Sequence, residues 1–170
     1  FTPVHLLFIT LRPDSLPALA IGMEPADDAL LEEKPRNPRE GILTRGFMIT
    51  MITQGLLIAA ASMTAYHIGL TVSSAMASTM AFATLTLARL FHGFNCRGSE
   101  SIFRLGLTSN RYSLYAFTAG VSLLALVIFI PGLHSVFSVA DLPMTALGQI
   151  VGLAFMPTVL IQIMKIIRHR

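Results

Sequence analysis

The sequence predicts an all-α, polytopic membrane helix bundle of five transmembrane helices, the first of them broken at Pro13–Pro17. Three observations carry this. Of the 170 residues, 54% are hydrophobic and 12% charged, about half the charged share usual for a soluble domain, and mean hydropathy is +0.69. The apolar residues fall in long blocks: 46–70, 71–88, 113–140 and 142–164 contain no Asp, Glu, Lys or Arg. A helix needs about 20 apolar residues to cross ~30 Å of hydrocarbon, and each block supplies that length or nearly so. The third observation is the stretch ITLRPDSLPALAIG at 9–22, which sets an arginine, an aspartate and two prolines inside an apolar segment. A soluble all-α domain is the competing reading, but uncharged runs this long do not suit a water-facing helix.

The spans lie near 3–22, 47–68, 72–94, 112–130 and 144–165, within a single transmembrane domain over 1–170. Loops 23–46 and 95–111 and the tail 166–170 are polar; a short turn surrounds Gly69, and a loop runs through PGLHSVFSVADLP. Lys34, Arg36, Arg39, Arg45, Arg97, Arg104, Arg111, Lys165, Arg168 and Arg170 all fall on one side of this layout. That is ten of the twelve basic residues, and such asymmetry places those loops and the C terminus in the cytoplasm. Phe1 then lies at the outer face. The net charge of +3 reflects this topology and does not point to nucleic acid. The single Cys96 excludes an internal disulfide framework. No basic region precedes the first apolar run, so no cleavable signal peptide is expected, and the chain reads as beginning mid-protein.

Small residues mark expected helix contacts: Gly148 with Gly152, Gly55 with Ala59, and the stripe Ala77, Ala81, Thr84 and Ala88. Such residues let backbones approach closely in lipid. Gln54, Gln149 and Gln162 are expected interhelical hydrogen-bond partners. His5, His67 and His134 are too scattered to form a metal site. The loop EPADDALLEEKPRNPREGILTR is a solvated connector or a docking surface for a cytoplasmic domain.

Arg12, Asp14 and Arg89 lie inside spans. A charge near the bilayer centre costs at least ~2.5–3.5 kcal/mol, so they are expected to face the bundle interior, water or one another. An Asp14–Arg89 ion pair that only locks helices is one reading; a transport path is the other. Pro13 and Pro17 favour the second, because each removes a backbone donor and leaves carbonyls for a cavity or an ion. A carboxylate beside such carbonyls suits a hard cation, which prefers oxygen ligands, and Thr10, one turn before Asp14, adds a hydroxyl. His92 follows Arg89 by three residues and is either a proton relay or a hydrogen-bonded interfacial histidine.

TPVHLLFIT and DSLPALAIGMEP together resemble the sixth transmembrane helix of P-type cation-transporting ATPases of the calcium-pump type. STMAFATLTLARLFHGFNCRGSESIF is similar to the eighth helix and following loop of the bacterial members. The likeness continues through LTSNRYSLYAF and LGQIVGLAFMPTVLIQIMKII and so covers essentially the whole chain. It implies the sixth to tenth helices of such a pump, with calcium as the transported ion and the bacterial plasma membrane as location. The aspartate of the family's sixth helix is a cation ligand, a role that maps onto Asp14. Thr10 stands where Asn is usual, Pro13 where Thr is usual and Arg12 where an apolar residue is usual. Arg89 occupies a position that is an acidic or amide ligand in the animal pumps, which implies a single site. The family's phosphorylation motif, D-K-T-G, does not occur in the 170 residues, so this chain alone is not expected to hydrolyse ATP. ATP and magnesium would act only through other domains. The implied partners are upstream transmembrane helices and cytoplasmic ATPase domains of the same protein, together with the lipid bilayer. A non-catalytic membrane scaffold with a structural Asp14–Arg89 pair is the alternative.

Overall fold

The structure, a computed structural model, describes residues 3–11, 15–24, 41, 43–98, 101–102, 106 and 108–168, with the side chains of 9–11 and 168 outside that description. Seven helices occur among these residues: α1 (Pro3–Leu11), α2 (Ser15–Gly22), α3 (Arg45–Leu70), α4 (Ser74–Asn95), α5 (Arg111–Phe129), α6 (Pro131–Phe137) and α7 (Met144–Arg168). No strand occurs among them. Helices α3, α4, α5 and α7 are each long and apolar enough to cross a membrane. The protein is an all-α, integral membrane helix bundle.

Polar residues set the helix starts. Thr44, Ser73 and Asn110 each cap a helix by accepting a hydrogen bond from the backbone N–H three residues on, at 3.3, 3.1 and 3.1 Å. Such caps satisfy donors that have no intrahelical partner. Within the spans, the hydroxyls of Thr50, Thr53, Thr64, Thr86 and Thr118 donate to the carbonyl four residues back, so they need no partner from lipid.

Helix α4 is the centre of the packing. Its Met80, Phe82, Leu87 and Ala88 are buried against Ile58 and Ala65 of α3, Leu124 and Val127 of α5, and Ala146, Ile150 and Ala154 of α7. The stripe Ala77, Ala81, Thr84 and Ala88 is buried. At the α3–α4 turn, a Cβ on Gly69 would fall 2.5 Å from the Ala77 Cα, so the helices meet there backbone to backbone. By contrast, the outward faces carry large apolar groups, among them Ile49 and Leu56 at 65% exposure, as lipid allows.

Three expectations need correction. A Cβ added at Gly55, Gly148 or Gly152 would meet nothing within 4 Å, so these glycines make no close helix contact among the described residues. Gly120 does, since a Cβ there would run into the Leu90 Cδ2. The segment after α5 is partly helical: Pro131 opens α6 with its φ already set, and the helix ends at Ser138 in the left-handed region (φ 50). Finally, Pro17 does not sit at the break. It is the third residue of α2, where the missing N–H would have no helical partner in any case.

Candidate functional site

The first apolar stretch forms two short helices, α1 and α2, on either side of residues 12–14. Arg12, Pro13 and Asp14 lie outside the described residues, and Thr10 belongs to α1 with its side chain outside them. Arg89 and His92 lie on α4, both half-buried. The His92 ring is bracketed by its own chain: Nδ1 is 3.5 Å from the Asn95 Nδ2, and Nε2 is 3.4 Å from the Cys96 Sγ. Among the described residues, no group of three or more His, Cys, Asp and Glu converges.

Each of the two helices flanking residues 12–14 has its own anchor. In α1, His5 is 1% exposed and its ring stacks on Phe82 of α4 with centroids 4.5 Å apart. Phe8 lies 5.7 Å from Phe82 and meets Phe137 of α6 edge-on at 5.3 Å. Aromatic pairs at these separations add to the area they bury. Helix α1 is thus fixed by the first half of α4 and by α6.

Helix α2 packs instead on α5 and the last turns of α4. Pro17 sits against Gly93, where a Cβ would approach the Pro17 Cβ to 3.1 Å, in a pocket also lined by Leu90, Phe94, Ser113 and Phe117. Beyond it, the Asn110 Nδ2 donates to the Ala20 carbonyl at 2.8 Å and to the Glu24 Oε2 at 2.6 Å. Arg97 donates to both oxygens of the same carboxylate, Nε to Oε2 at 3.0 Å and Nη2 to Oε1 at 2.6 Å. Its Nη1 reaches the Gly106 carbonyl at 3.0 Å and its Nη2 the Ser109 hydroxyl at 2.6 Å. Gly106 has φ +78, a conformation glycine adopts without strain.

The Arg97 side chain is fully buried and that of Glu24 is 23% exposed. A buried guanidinium is tolerable only when its donors are satisfied, and here a bidentate carboxylate, a carbonyl and a hydroxyl take them. Hydrogen bonds from Arg97 are the main reason the Glu24 carboxyl is held below its ordinary pKa, with those from Asn110 acting the same way against the opposing effect of burial.

A second polar group fixes the end of α4 to α7. The Gln162 Nε2 donates to the Asn95 Oδ1 at 2.6 Å, and the Gln162 Oε1 accepts from the Ile102 N–H at 2.9 Å. The Lys165 Nζ donates to the carbonyls of Asn95, the last residue of α4, and of Gly98 just beyond it, at 2.6 and 2.5 Å, a cation at a helix C-terminus, where it is favoured. Gln162 is therefore an interhelical partner, as its sequence position suggested.

Glu24, Arg97 and Asn110 were not singled out from the sequence. Arg97 read as a topology charge and Glu24 as the start of a polar loop. Seventy-three residues separate the two, and no local spacing reports a contact that long. Asn110 offered one signal, an Asn directly before an apolar helical run.

The chain matches the family described as "Cation transporting ATPase, C-terminus" over residues 1–167. It is 36% identical over 176 residues to a calcium-transporting ATPase of Listeria monocytogenes, covering 100% of this chain and 19% of the relative. A calcium-transporting ATPase of Lactococcus lactis is 38% identical over 170 residues, covering 99% and 19%. The human calcium-transporting ATPase type 2C member 1 is 27% identical over 165 residues, covering 95% and 18%. The chain spans about a fifth of the length of these curated relatives. With a family match over residues 1–167 and these relatives, the chain belongs to the cation-transporting ATPase C-terminal family.

Proposed function

We propose that this chain is the C-terminal membrane region of an ATP-driven calcium transporter and supplies part of its intramembrane ion site. Calcium is the substrate in this reading, and the ligands from this chain are the Asp14 carboxylate and the Thr10 hydroxyl. Arg89, Arg12 and His92 belong to the ion path or balance its charge. The observation that carries the reading is an aspartate set between two prolines in an apolar stretch, with the helices on either side of residues 12–14, α1 and α2, held by different neighbours. Prolines at membrane depth suit an ion, because each removes a backbone donor and leaves a carbonyl for a ligand role beside the carboxylate. The calcium-transporting relatives support the choice of ion. ATP and magnesium would act on cytoplasmic domains elsewhere in the same protein, and the 23–46 loop would meet one of them.

The test is phosphorylation of the full-length protein by ATP. The reading predicts an acid-stable phosphoenzyme that forms with calcium and not with potassium alone; phosphoenzyme formation indifferent to calcium would overturn it.

The proposed membrane is the bacterial plasma membrane, with the Phe1 end outside and the C terminus in the cytoplasm. A cysteine at Ser138, in a background where Cys96 is replaced, is expected to react with an impermeant thiol reagent added outside intact cells. One at Asn37 is expected to react only after lysis. The reverse pattern would invert the topology.

A further inference from the structure

We propose that Glu24, Arg97 and Asn110 are positioning residues for α2, so that the loop between α4 and α5 sets the calcium affinity of the ion site. The inference rests on the reading of residues 10–14 as ion ligands. Helix α2 has eight residues, and isolated helices shorter than about 12–15 residues are marginal. Its place is therefore determined by what it docks on. Besides the Pro17 pocket, its C-terminal end is held by side chains: Asn110 takes the Ala20 carbonyl, and Arg97 and Asn110 take the Glu24 carboxylate. The carbonyl of Ala20 also accepts from the Met23 N–H at 3.2 Å, so the last turn is closed from within and held from without.

Helix α1 is anchored elsewhere, on Phe82 and Phe137. The two helices share α4 as a neighbour but are held by different side chains, and the α4–α5 loop adds the hold on α2 that fixes where it sits relative to α1. That loop is braced in turn. Gln162 and Lys165 of α7 bind Asn95, Gly98 and Ile102 on either side of Arg97, and Asn110 is also the cap of α5. One polar chain thus runs from α7 through the end of α4 to Glu24. A displacement of the loop is transmitted to α2 by a bidentate ion pair, the geometry that fixes direction as well as distance.

The experiment compares Glu24→Gln, Arg97→Gln and the double variant in the full-length pump. It reads two quantities: the calcium concentration for half-maximal phosphorylation by ATP, and the maximal phosphoenzyme level per folded protein. The positioning role predicts a shift in the half-maximal concentration of roughly tenfold, within the usual range for coupled sites, with the maximal level retained. The double variant should shift no further than the single ones, because both remove the same contact, and Glu24→Asp should restore part of the affinity. A merely structural role predicts the opposite split, a reduced maximal level at unchanged half-maximal calcium, and that result overturns the proposal. Should Arg97→Gln fail to fold, Glu24→Gln decides alone, since its isosteric amide sits at the more exposed side of the pair. A wild-type protein indifferent to calcium would sink the ion-site reading itself. A calcium response lost in Asp14→Asn and unmoved in Glu24→Gln would sink only this inference.

Discussion

If Asp14 is the proposed ligand, Asp14→Asn in the full-length protein is expected to weaken calcium-dependent phosphorylation by on the order of a hundredfold or more, because oxygen-ligand sites for calcium are tuned by ligand charge. The amide keeps the shape and loses both the charge and the second acceptor oxygen. Insertion should survive, since neutralising an intramembrane charge lowers its cost. The scaffold alternative predicts something different. If Asp14 served only to neutralise Arg89, the substitution would destabilise the fold by ~3–5 kcal/mol, as breaking a buried pair does. Adding Arg89→Gln would then restore it. Phosphorylation and thermal unfolding of the two variants side by side separate the readings: a folded, inactive Asp14→Asn protein supports a ligand, and an unfolded one rescued by Arg89→Gln supports a pair.

Gly69→Ala is the substitution expected to disturb the bundle most for its size. The added methyl would lie 2.5 Å from the Ala77 Cα and 2.7 Å from the Ala77 N. Both are backbone atoms of α4, so no rotamer change relieves the clash and the helices must separate. Overpacking of this kind typically costs about 1–3 kcal/mol. Gly120→Ala meets the end of the Leu90 side chain instead, which can turn away, and should cost less. Gly148→Ala meets nothing within 4 Å and serves as the control. A detergent-solubilised protein should melt clearly lower with Gly69→Ala and close to wild type with Gly148→Ala. Equal melting of all three would mean that α3 and α4 do not meet as closely as described.

The all-α membrane class was legible because hydrocarbon thickness imposes a length that uncharged blocks either have or lack, as 46–70 and 142–164 do. Helix starts were legible in principle at Thr44, Ser73 and Asn110, where the chemistry is local. Helix α6 was hidden, since seven residues inside a longer uncharged run carry no period of their own. The glycine pairs misled for a different reason. Gly148 and Gly152 report that a helix permits close approach, whereas which neighbour uses that permission depends on the whole bundle; Gly69 and Gly120, each four residues after an alanine (Ala65 and Ala116), are close contacts. The clamp at Glu24 was illegible because Arg97 serves two ends at once. Its position satisfies charge topology, and that explanation sufficed without a partner. The ion site stands in the opposite position. Asp14 was the most informative residue of the sequence, since a carboxylate between two prolines in an apolar run has few bland explanations, while the described geometry begins on either side of it.

The central proposal, that Asp14 contributes a calcium ligand, is tested most directly by equilibrium binding of radioactive calcium to the purified full-length protein. The account predicts saturable binding to the wild type, binding of the same capacity but lower affinity in Glu24→Gln, and no saturable binding in a folded Asp14→Asn variant. Saturable calcium binding of unchanged affinity in Asp14→Asn would contradict it.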